Sequence, residues 1–130
     1  MSNTLKELRS TIRVRLTAAG IRVEDHIPEQ IRPPMAMIAA GSPYLEAGDA
    51  YGTFTARFTV VLVASQATNE VATSELDEAV TAAVVALDGE LWGIERVDQP
   101  TMLQTNNTQY LSTTIDVVTA TSIDDGQEGG

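Results

Sequence analysis

The only histidine, His26, lies in the run Glu24-Asp25-His26, with Glu29 close behind. On a strand Glu24 and His26 would point the same way, which is how a metal-ligand set begins. A zinc-type site needs three or four converging ligands, and the chain has no second histidine and no cysteine to complete one. On these grounds His26 reads as an exposed side chain in an acidic loop. A Ser-His-acid triad would have to use the same residue, and there is no Gly-x-Ser-x-Gly elbow; Gly41-Ser42-Pro43 reads as a turn. Asp77 and Glu78 form a carboxylate pair, but helical neighbours point about 100° apart. Acid–base work by carboxylates also needs a pocket that shifts a pKa, and no pattern marks one. Neither a Gly-x-Gly-x-x-Gly run nor a phosphate-binding Gly-Lys-Ser/Thr loop is present. The arginines are not interleaved with aromatics, so a stacking platform for single-stranded nucleic acid is missing. Trp92, next to Gly93, reads as a core anchor under a helix. The inventory describes a building block rather than an enzyme, with no catalytic residue, metal site or cofactor expected.

The elements that would carry these residues are legible from spacing. Thr4-Leu5-Lys6-Glu7 has the capping-box form, and Leu5, Leu8, Ile12 and Leu16 fall on one helical stripe. Gly20 supplies a stop, so a helix is expected over about Leu5 to Ala19. Ile21, Val23 and Ile27 mark a short strand, and Pro28, Pro33 and Pro34 break the next stretch into a loop. Met35 to Ala40 reads as a strand ended by Gly41-Ser42-Pro43, and Tyr44 to Gly52 as a loop or edge segment. A long strand runs from about Thr53 to Ala64. Phe54, Ala56, Phe58, Val60 and Leu62 form its core face; Thr53, Thr55, Arg57, Thr59, Val61 and Val63 form a face that is half wet or covered by a partner. Asn69 caps a second helix whose buried stripe is Leu76, Val80, Ala83, Val84 and Leu87, with Gly89 as its end. Leu91 to Val97 and Tyr110 to Thr121 are strands. Thr101 to Gln104 is a candidate short strand turning through Asn106-Asn107 into the last one.

The resulting order is α-β-β-β-α-β-β. Two amphipathic helices can roof one face of a mixed or antiparallel sheet, which gives an α+β two-layer sandwich with the opposite face uncovered. The 130 residues suit one domain, expected over 1–123, and the acidic tail 124–130 lacks apolar residues and is expected to be disordered. The apolar runs are far shorter than the roughly 20 residues that span a bilayer, and no signal-peptide core opens the chain. Without cysteine the chain fits a reducing compartment, and the expectation is a soluble, intracellular protein.

Eight lysines and arginines against eighteen acids give a net charge of −10. That balance argues against a surface built to cover nucleic acid or an anionic membrane. The charge is also unevenly placed. Residues 1–32 hold Lys6, Arg9, Arg13, Arg15, Arg22 and Arg32; the remainder holds only Arg57 and Arg96 among fourteen acids. A basic helix could therefore meet an acidic face of a neighbouring copy. Arg9, Arg13 and Arg15 on the first helix, and Arg57 on the Thr-rich strand face, are the candidate contact residues. Tyr44, Tyr51, Asn106, Asn107 and Tyr110 join them, because Gly-, Asn- and Tyr-rich loops suit adaptable contacts.

The stretches Leu16-Thr17-Ala18-Ala19-Gly20-Ile21, Pro33-Pro34-Met35, Gly41-Ser42-Pro43-Tyr44-Leu45, Thr68-Asn69-Glu70 and Ala86-Leu87-Asp88-Gly89-Glu90-Leu91-Trp92, in that order, resemble the tail terminator (tail completion) proteins of long-tailed siphophages. The similarity runs over about Leu5 to Ser122. It implies a virion protein assembled in the host cytoplasm, non-enzymatic and without cofactor. Such a protein forms a homo-oligomeric ring, a hexamer in that family. The ring would cap the tail tube, stop its polymerisation, and meet the tube protein on one side and the head connector on the other. DNA would pass through the lumen without specific binding. Head-closure and other neck subunits have comparable size and form the alternative; a small ligand-binding α+β domain is a further one. The family has no fixed motif that assigns contact residues, so the candidate contacts rest on charge, strand face and loop composition alone.

Overall fold

In the computed structural model Thr4–Ala18 winds into the first helix, α1, with Ile12 and Leu16 fully buried and Leu5 and Leu8 packed against the same core. Its end is a Schellman motif. Gly20 takes a left-handed φ of 89°, the Ile21 N–H reaches back to the Leu16 carbonyl, and the Gly20 N–H bonds the Thr17 carbonyl, each at 3.0 Å. The structure describes residues 4–24, 34–48, 52–64, 69–89, 92–105 and 108–122. His26, Tyr51, Asn106, Asn107 and the tail expected to be disordered lie outside the described residues.

Seven more elements follow among the described residues: β1 (Val23–Glu24), β2 (Met35–Ala47), β3 (Thr53–Val63), α2 (Asn69–Leu87), β4 (Gly93–Val97), β5 (Thr101–Thr105) and β6 (Thr108–Ser122). The chain is an α+β two-layer sandwich. Its single sheet has the order β1-β2-β3-β6-β4, and β5 also pairs with β6. β1 runs parallel to β2; the other pairings are antiparallel. The candidate short strand at Thr101 is present as β5, which brings the sheet to six strands among the described residues. β4 and β5 lie end to end along the side of β6 that faces away from β3.

Strand alternation sorts the sheet into two faces. Ala56, Phe58, Val60 and Leu62 of β3 sit opposite Thr119, Val117, Ile115 and Thr113 of β6, and all of these point towards the helices. They close a core with Ala36 and Ile38 of β2, Ile12 and Leu16 of α1, Ala72, Leu76, Ala83 and Leu87 of α2, and Trp92. α1 and α2 pack side by side in one layer, α1 next to β1 and α2 over β3, β6 and β4. α2 ends differently from α1. Gly89 does not adopt a positive φ; its N–H bonds the Trp92 carbonyl at 3.0 Å.

The main departure from the sequence expectation is β2, which does not stop at Gly41. It pairs with β3 up to Ala40↔Phe58 and resumes at Leu45↔Ala56, so four residues, Gly41 to Tyr44, face the single residue Arg57. Gly41 permits this bulge. A Cβ there would fall 2.6 Å from the Arg57 Cβ and 2.8 Å from its carbonyl carbon. Pro43 sits inside the bulge, where no ladder hydrogen bond is required of it.

Candidate subunit interface

The bulge organises both faces of the sheet. On the helix side it delivers Tyr44 edge-on to Phe58, with ring centroids 5.5 Å apart and planes at 85°. Phe58 in turn meets Trp92 at 6.1 Å. The Arg9 guanidinium lies 5.7 Å from the Phe58 ring centroid, and its Nη2 donates to the Tyr44 hydroxyl at 3.0 Å. Arg9 Nε is buried with no hydrogen-bond partner, so attraction to the aromatic face helps to hold the charge there. Charge and loop composition predict that Arg9 and Tyr44 point outward as contacts for another molecule. The structure instead brings them together, half-buried, against the protomer's own core.

On the open face Arg57 stands at the centre. Its Nη1 reaches Glu46 of β2 at 2.8 Å and its Nε reaches Glu95 of β4 at 3.2 Å. Hydrogen bonds to Glu46 and then Glu95 raise the Arg57 pKa above its ordinary value. The cation therefore stays charged at every pH below that ordinary value, and the clamp weakens from this side only in strong alkali. Glu95 is available because β4 bulges between Ile94 and Arg96. A second chain of bonds lies alongside. Thr59 donates to Asp116 at 3.0 Å, and Arg96 Nε bonds Asp116 and Asp98, each at 3.1 Å. Thr114 donates to Asp98 at 2.7 Å. Thr113 donates to the Asp98 main-chain carbonyl. Two arginines thus hold four carboxylates, and this lattice keeps a net negative charge.

One corner of this face is apolar. Met35, Met37 and Val63 are buried there, with Val61, Leu103 and Tyr110 packed against them. Tyr110 is opposite Leu103 in the β5–β6 hairpin. It therefore braces the hairpin where it extends beyond the Val63↔Ser112 end of the β3 pairing. Arg13 is exposed on α1, and Arg15 is half-buried and lines a shallow trough of about 830 Å³ over the outside of the helix layer. Sequence reasoning places Arg57 on this face but misses Glu46, Glu95, Arg96, Asp98 and Asp116. A usable signal is present, because Arg57 and Arg96 are the only cations among fourteen acids beyond residue 32.

Arg57→Met is expected to lower stability, and the loss is expected to shrink as salt is added. The clamp is partly wet, so ions screen both the original attraction and the repulsion left between Glu46 and Glu95. Urea midpoints at low and high ionic strength test this; an equal loss at both would point to packing of the side-chain stem instead.

Among the described residues no group of three His, Cys, Asp or Glu converges as a metal site, and no helix is long and apolar enough to cross a membrane. Among the described residues both helices lie on one face of an α+β sandwich, and the other face carries a charged, internally bonded lattice beside an apolar corner. Neither a protein-family model nor a curated protein matches the chain.

Proposed function

We propose that this chain is a structural, non-enzymatic subunit of a siphophage virion: a tail terminator that closes into a ring. The ring caps the finished tail tube, ends its growth and joins the tail to the head connector. The resemblance in element order and chain length motivates the family. The observation that carries the reading is the sheet face that no helix covers among the described residues; outside the buried apolar corner of Met35, Met37 and Val63 it is charged. Its charges bond one another through Arg57 and Arg96 across β2, β3, β6 and β4, so it stays wet and rigid. A net-negative, stiff wall suits a channel through which DNA must slide, because like charge keeps phosphates from sticking. The ring itself requires two different patches on each subunit.

Electron microscopy of the purified protein, alone and mixed with siphophage tail tubes, tests the reading. Closed rings and tubes with one blunt, capped end are expected. Tubes that keep bare ends, with a protein that stays monomeric even when concentrated, would remove it. Rings that bind connector but never tube would assign the chain to the neck instead.

A further inference from the structure

The two helices carry opposite charge. α1 has Lys6, Arg9, Arg13 and Arg15 against Glu7, whereas α2 has Glu70, Glu75, Asp77 and Glu78 and no cation. Among the described residues Arg13, Asp77 and Glu78 make no ion pair, in contrast to Arg57 and Arg96, each of which bonds two carboxylates. Arg13 has no route to its own α2. Arg15 lines the trough shared with α2, and two residues turn a helix by about 200°, which places Arg13 on the far flank. The same two surfaces expose apolar side chains. Val14, beside Arg13, is 56% exposed, and Val85, in the trough with Asp77, Glu78 and Ala82, is 75% exposed.

We propose that α1 of one copy docks along α2 of the next, with Arg13 facing Asp77 and Glu78 and Val14 seated on Ala82 and Val85. A second copy is the occupant because its α1 offers the opposite charge and an exposed apolar residue side by side. The contact surface is on α1, with Arg13 on the flank turned away from α2, and the receiving surface is on α2, so we take the contact to be head-to-tail and to repeat from copy to copy. The closure of that repeat rests on the proposed ring; the pairwise contact rests on the charges and exposed valines.

The test is a reciprocal charge swap. One variant carries Arg13→Glu and the other Asp77→Lys with Glu78→Lys. All are exposed positions, and thermal melting checks that each variant folds. Mass in solution and binding to tail tubes are measured for wild type, for each variant alone and for an equimolar mixture, at low and high salt. Each variant alone is expected to weaken assembly at least about tenfold, since close interfacial charge pairs couple by about that much or more. The mixture is expected to assemble again, because every contact then pairs opposite charges. Variants that assemble as well as wild type would overturn this contact and leave the ring standing. A mixture that stops at dimers would overturn its head-to-tail form. A wild-type chain that neither oligomerises nor caps tubes would overturn the contact together with the ring.

Discussion

Trp92→Ala is expected to cost about 3–5 kcal/mol, the range found when a large aromatic is removed from a packed core. Trp92 is 2% exposed, lies beside the start of β4 and belongs to the cluster that joins both helices to the sheet. Its ring meets Phe58, Phe58 meets Tyr44, and Arg9 lies over Phe58. Truncation therefore removes more than one side chain's contacts. It leaves a void at the end of an aromatic row, and Phe58 loses the neighbour that fixes its orientation. Urea denaturation should show a lower midpoint with an unchanged slope, and the melting temperature should fall on the order of 10–15 °C. Arg9→Met then becomes a coupled change: in the Trp92→Ala background its cost should differ from its cost alone, since both residues act through Phe58. Strict additivity would mean that the row does not behave as a unit.

Gly41→Val is expected to be nearly as damaging, about 2–3 kcal/mol, for a different reason. The new Cβ would meet the Arg57 Cβ at 2.6 Å and its backbone at 2.8 Å, and backbone cannot swing aside as a side-chain tip can. The bulge would have to move, and with it Tyr44 on one face and the approach of Glu46 to Arg57 on the other. Gly89→Ala is the control, because a Cβ there meets nothing within 4 Å and the residue has no positive φ. A urea midpoint for Gly41→Val equal to that of the control would show that β2 can pass Arg57 in another way.

The stripe Leu5, Leu8, Ile12, Leu16 and the stop at Gly20 describe α1 almost to the residue, because a helix is a local object whose period and cap are written within one segment. The core face of β3 is equally plain, since alternation is local too. Gly41-Ser42-Pro43 looks like a strand end, yet it is a bulge. Its reason is the backbone of Arg57, which only the pairing of β2 with β3 brings near. Arg9 looks outward because it is charged, but it follows Leu5 by one helical turn and stands at the edge of the buried stripe. Its long side chain reaches the Phe58 ring from there. The carboxylates around Arg57 and Arg96 could not be read from spacing, because Glu46, Glu95 and Asp116 converge through the register of four strands.

The placement of β6 has a consequence for synthesis. It is the strand between β3 and the β4 and β5 pair, and its central partner, β3, is far back in the chain: Thr59 bonds Asp116, 57 positions away. A ribosome that has released only the portion through β4 exposes β3 with one bare edge and β4 with no strand beside it. No shorter translation product can close this sheet, so a nascent chain must wait, sticky and unfinished, until residues 108–122 emerge. Pausing the ribosome just before that point should leave the nascent chain open to protease, and release of the strand should make it resistant in a single step.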